Sequence, residues 1–145
     1  MTNYYLRKWS DPVLRQKCEK VEDFSKLGNL VNSMLEIMNN HEGIGIAAPQ
    51  IGDTRQVLIA KVNSKYQVFV NPEIKKARGF IPYLEGCLSF PGLTVPTLRK
   101  YSIDVEYQNT TGKKLSQKFS GVDSIVMQHE IDHLNGKLMF NYLKK

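Results

Sequence analysis

Leu27, Leu30, Val31, Met34, Leu35 and Met38 recur at intervals of three and four. This spacing predicts one apolar stripe of an amphipathic helix. The helix should stop near Asn40, with Gly43 just past its end. Before it, the first 24 residues carry few periodic signals and read as an extended arm with a turn at Asp11-Pro12. After it the period shortens to two. Val57 to Ala60 and Tyr66 to Val70 are β-type runs separated by Asn63-Ser64, which predicts a hairpin. Tyr101, Ile103, Val105 and Tyr107 alternate with polar residues, and Leu115, Gln117 and Phe119 continue beyond a turn at Asn109 to Gly112. A last helix is predicted over Val122–Leu134, with Ser120 and Asp123 as a capping box and Asn135-Gly136 as the stop. Strands gathered between two helices, without β-α-β alternation, predict an α+β fold. Its antiparallel sheets would pack around the C-terminal helix, with one helix near the N-terminus.

A chain of 145 residues suits one domain with one core. The hydrophobic share of 41% and charged share of 23% are ordinary for a soluble protein. No apolar run reaches the roughly 20 residues of a membrane span. The opening Met1-Thr2-Asn3-Tyr4-Tyr5 lacks the order of a signal peptide. The expectation is a cytoplasmic protein. Its cysteines, Cys18 and Cys87, fit a reducing compartment better than a disulfide scaffold. The net charge of +6 would suit an anionic partner such as RNA or the ribosome. The lysines are scattered, however, and cluster only at Lys75-Lys76 with Arg78, Lys113-Lys114 and Lys144-Lys145. A solvated basic surface explains them as well.

The chemistry concentrates in His129-Glu130-Ile131-Asp132-His133. Histidines at i and i+4 share a helix face and can reach one metal ion, while Glu130 can reach a water beside them. A catalytic site of this kind needs a third protein ligand and an open position. No acidic residue follows Asp132 and no third histidine follows His133, which leaves Cys87, within Glu85-Gly86-Cys87-Leu88-Ser89. Gly86 and Pro91-Gly92 suggest that Cys87 sits on a tight, exposed turn. Cys18 lacks such surroundings and reads as a small buried residue. One sulfur and two nitrogens suit zinc, iron, nickel or cobalt. A third segment, Gly43 to Gln50, is rich in small residues that let another backbone approach. The Gln50 amide there could face a developing oxyanion.

Taken in order, Gly43 to Gln50, Glu85 to Ser89 and Gln128 to His133 resemble the three motifs of the peptide deformylase family. Asp11 to Arg15 resembles the family's usual opening, so the likeness spans about residues 9 to 143. The resemblance implies hydrolysis of the formyl group on the initiator methionine of new chains. It implies that Cys87, His129 and His133 hold one divalent metal per chain, usually Fe(II), with Glu130 as the proton carrier. It further implies that the Leu88 N–H and the Gln50 amide stabilise the oxyanion, and that Ile44, Gly45 and Gly86 pair with the substrate backbone. Glu85 and Arg99 match a family ion pair, which at a surface would contribute little stability. Asp132 would orient a ligand or its helix. N-formylmethionyl peptides are the implied partners, with the ribosome as a further one, no membrane and no specific nucleic-acid sequence. Two departures stand out. Asn141 occupies a position where the family commonly has Asp. The chain also ends 145 − 133 = 12 residues after His133, which leaves no room for the further helix of many bacterial members and resembles virus-encoded ones.

Val122, Ile125, Val126 and His129 form a stripe on the last helix that would carry an apolar side-chain pocket up to the first metal ligand. Ile125 and Val126 are its expected floor, Ile44 another wall and Tyr83 its rim. Two rival readings stay open in the sequence: a metallopeptidase cutting internal bonds, and a metal-stabilised module that binds RNA or the ribosome.

Overall fold

The computed structural model describes residues 3–143; Met1, Thr2 and the Lys144-Lys145 cluster lie outside them. The first helix, α1, covers Gly28–Asn40, and the second, α2, covers Val122–Leu134. Five strands make one antiparallel sheet in the order β1-β2-β3-β6-β7: β1 Gly45–Ala47, β2 Val57–Val62, β3 Lys65–Arg78, β6 Ser102–Gln108 and β7 Lys114–Ser120. A separate antiparallel pair holds β4 Ile81–Cys87 and β5 Phe90–Arg99. The α+β expectation therefore holds. Among the described residues no helix is long and apolar enough to cross a membrane.

Both hairpins expected from alternation are present. Asn63 and Ser64 take φ of 51° and 65°, the left-handed pair that joins twisted antiparallel strands in a two-residue turn. Ile103, Val105, Tyr107 and Phe119 face inward and meet Phe69, Met127 and Ile131 in one apolar cluster. The α1 stripe of Leu27, Leu30, Met34 and Met38 packs with Ile46, Ile51, Val57 and Ile59 in a second. Helix α2 is therefore central. Every residue from Ser124 to Leu134 is buried, so this is no surface helix with two chance histidines.

Several local expectations need correction. Ser120 does not cap α2, because it is still paired with Ser102 at the end of β7. The cap position is Gly121, at φ 62° and ψ −135°, with no side-chain bond. Past α1, the left-handed residue is Glu42 rather than Gly43. Gly43 is small for another reason: a Cβ there would stand 2.9 Å from Leu88 Cδ1. The β4–β5 pair carries no clean alternation in the sequence, and β3 runs well beyond Val70 through two irregularities in its register with β6. Asn71, at φ 51°, marks the first of these; its side chain exchanges two hydrogen bonds with the backbone of Val21 and so ties down the N-terminal arm.

Candidate metal centre and cleft

Helix periodicity puts His129 and His133 on one side of α2, with ring centroids 5.0 Å apart. The β4–β5 turn brings Cys87 to them. One donor atom each from Cys87, His129 and His133 lies within 4.8 Å of the others, and Cys87 Sγ is 3.4 Å from His133 Nε2. The turn is not the exposed one expected. Cys87 is half-buried and Ser89 fully buried, because the turn folds against the helix.

The orientation of His129 follows from its neighbour. Its Nδ1 lies 2.7 Å from Glu85 Oε1. A carboxylate only accepts, so Nδ1 carries the proton and Nε2 keeps its lone pair for a cation. Burial favours the neutral form of His133, and together with the nearby His129 and Arg99 charges it lowers that pKa well below the usual value. Burial works against the charged form of His129 too. Glu130, Cys87 and Glu85 outweigh it and raise its pKa.

Glu85 is itself held from behind. Arg99 donates to it through Nε at 2.6 Å and Nη2 at 2.9 Å, and Thr97 Oγ1 adds a bond of 2.5 Å. Burial alone would raise the Glu85 carboxyl, but Arg99, His129 and Thr97 bring it down to about 2. Arg99 Nη1 meets Asp132 at 2.5 Å. The Glu85–Arg99 pair is therefore no surface ion pair, and Asp132 is not solvated. Removing one partner would bury an uncompensated charge, at a cost of about 3–5 kcal/mol. Gln128 fixes the strand end next to Arg99, accepting from Lys100 N and donating to Lys100 O.

Glu130 lies fully buried on the cleft side of α2. Burial pushes its carboxyl up to about 7, and its Oε1 has no protein partner. Gly45 lies directly against it, since a Cβ there would stand 2.6 Å from Glu130 Oε2. Gln50 sits in the short 3-10 helix Ala48–Ile51. Its Oε1 accepts from Ala47 N at 2.9 Å, which turns Nε2 toward Cys87 Sγ at 3.6 Å and Ser89 Oγ at 3.3 Å.

A cleft of about 580 Å³ opens beside these groups, lined by Ile44, Gly45, Gln50, Tyr83, Gly86, Leu88, Ile125, Val126, His129 and Glu130 among others. Val122, at the outer end of the expected stripe, is exposed and does not line it. β1 pairs only with β2 and β4 only with β5. Each strand thus leaves one edge unpaired among the described residues, and residues of both line the cleft. The sequence does not single out Thr97 or Tyr142, and it places Ser89 in a motif without giving it a role. Nothing in the chain reports that Thr97 is buried against a carboxylate or Ser89 against an amide.

Three donors that a single ion can bridge, a backed histidine and an unpartnered buried carboxylate fit a divalent metal. The family model for polypeptide deformylase matches residues 4–145. A peptide deformylase of Dictyoglomus turgidum is 39% identical over 137 residues, covering 94% of this chain and 90% of the relative. The crystal structure of peptide deformylase from Thermotoga maritima superposes with a TM-score of 0.95 at 35% identity, covering 100% of both chains. That of the Thermus thermophilus enzyme gives 0.94 at 42% identity, covering 98% of this chain and 86% of the other. The chain belongs to the polypeptide deformylase family, a family of metal-dependent hydrolases.

The two thiols should differ in reactivity. Burial pushes the Cys18 thiol up to about 12, whereas Cys87 opens on the cleft. At pH 8 a thiol reagent is expected to modify one cysteine quickly in metal-free native protein, none in metal-loaded protein and two after denaturation. Two fast thiols in the native state would remove Cys18 from the core.

Proposed function

We propose that this protein hydrolyses the formyl group from N-formylmethionyl peptides, releasing formate and a free methionine N-terminus. The observation that carries this reading is the convergence of Cys87, His129 and His133 beside the buried Glu130, next to a cleft lined by residues of two strands with open edges. Cys87, His129 and His133 would hold the ion. The family suggests Fe(II), and the same donors suit zinc, nickel or cobalt. When bound, the metal supplies Lewis acidity and lowers the pKa of a water toward neutrality.

The chain's own groups supply the rest. Glu130, as carboxylate, takes a proton from the attacking water and returns one to the leaving amine; a nearby cation favours that charged form. The Gln50 amide, oriented by Ala47, and the backbone N–H of Leu88 face the developing oxyanion. Gly45 leaves room for the Glu130 carboxylate. The substrate backbone adds as a strand between Ile44-Gly45 and Gly86, and its first side chain lies along Ile44, Ile125 and Val126, with Tyr83 at the rim. Glu85, Arg99 and Asp132 hold the His129 ring in place. Nascent chains are the source of such substrates, so the enzyme works where translation does, in the cytoplasm and near the ribosome.

A methionine pocket has a measurable consequence. Burying that unbranched side chain is worth roughly 1.5–3 kcal/mol, or about 10- to 150-fold in kcat/KM. Formyl-Met-Ala should exceed formyl-Gly-Ala and formyl-Asp-Ala by that factor. Equal values for all three would remove the pocket. Unformylated peptides of the same sequence should remain uncut; internal cleavage would point to a peptidase instead.

A further inference from the structure

The buried charge network behind His129 does not end at Asp132. The short 3-10 helix Met139–Tyr142 closes the described chain, with Asn141 Oδ1 accepting from Leu138 N at 3.1 Å. From its last position Tyr142 reaches both partners in the network. Its ring lies over the guanidinium, with Arg99 Cζ 4.1 Å from the ring centroid. Its hydroxyl donates to Asp132 Oδ1 at 3.2 Å. The next residue, Leu143, bridges to Thr97, whose hydroxyl is bonded to Glu85.

Arg99 is held in its own plane by Glu85 on two nitrogens and Asp132 on the third. Those bonds resist rotation in the plane but do little against tilting out of it. A ring stacked on the guanidinium face supplies that restraint. The Tyr142 ring is absent from the apolar cluster of Leu14, Phe90, Val95, Leu138 and Met139 beside it. It stacks on Arg99 and bonds to Asp132, which is unlike a residue that merely fills space.

We propose that Tyr142 is a positioning residue for the metal centre. It fixes Arg99 and Asp132, through them Glu85, and through Glu85 the ring of His129. The inference rests on the metal-dependent reading above, and its test can fail separately from that reading.

The test uses the full chain loaded with cobalt(II). Tyr142→Phe keeps the ring and removes the hydroxyl; Tyr142→Leu removes both. Leu27→Ala, buried in the apolar cluster under α1, which contains none of the three metal donors, is the control for simple destabilisation. Tyr142→Leu should release metal to a chelator about tenfold faster, alter the visible cobalt bands, and lower kcat with KM within about twofold. Tyr142→Phe should fall between Leu and wild type. Leu27→Ala should lower Tm yet keep the wild-type bands and release rate. Wild-type bands and release in Tyr142→Leu, or equal changes in Leu27→Ala, would overturn the proposal. Should Tyr142→Leu not fold, wild-type values in Tyr142→Phe count against it in the same way. A wild-type protein that binds cobalt but releases no formate contradicts the deformylase reading, and the bands and release rates still decide the role of Tyr142.

Discussion

Glu130→Gln is expected to keep its metal and to lose about 10²- to 10⁴-fold in formate release, the usual worth of a positioned general acid–base. The substitution preserves length and shape, which matters because Gly45 leaves space for a carboxylate-sized group and no more. The three proposed ligands, Cys87, His129 and His133, are untouched, so metal content after dialysis should match wild type. Gln cannot accept the water's proton, so the loss should appear in kcat with KM little changed. Burial already places this carboxyl near the operating range, at about 7. A mutant that keeps metal and turns over normally would take the proton-transfer role away from Glu130.

The second large effect is loss of the metal itself. Cys87→Ala, His129→Ala and His133→Ala should each leave dialysed protein with little metal and no measurable formate release. Each removes one of three donors that lie within 4.8 Å of one another. Loss of a supporting partner alone costs about 10- to 100-fold in affinity or activity, and loss of a donor should exceed that. Cys18→Ala is the control. Cys18 is packed among Ala60, Leu134 and their neighbours, so this variant should lose some stability and retain full metal content. Equal metal loss from Cys18→Ala would mean that the bound ion sits elsewhere.

Much of the frame was legible because burial here follows simple periods. The α1 stripe, the Asn63-Ser64 hairpin and the β6–β7 alternation each bury one face, and an apolar period records which face that is. The β4–β5 pair escaped because its outer face is apolar as well. Leu84 and Leu98 are 61% and 40% exposed, and Pro82, Pro91 and Pro96 interrupt the run. Hydrophobicity therefore does not separate its two sides. The capping residues at 120 and 123 matched a pattern, but the pairing of Ser120 in β7 took precedence over local capping.

The site was legible to different depths. The spacing of His129 and His133 is a property of one helix, so sequence alone places them together. Cys87 came by elimination and resemblance, and the fold supplies its approach. Burial of Glu85, Arg99 and Asp132 was beyond reach: charged residues are rarely buried unless paired, and the pairing joins residues of β4, β5 and α2 that lie far apart in the chain. Thr97 and Tyr142 gave no signal, since a lone Thr in a strand and a Tyr near a terminus have many ordinary uses.

Formate release from formyl-Met-Ala-Ser by anaerobically purified protein, with metal content measured on the same sample, tests the central claim most directly. A metal-dependent deformylase will release formate in step with substrate consumed and carry close to one metal per chain. It will lose both after chelation and recover on adding back Fe(II). Full metal occupancy with no formate from this peptide, or formate release that persists in stringently metal-free protein, would contradict that assignment.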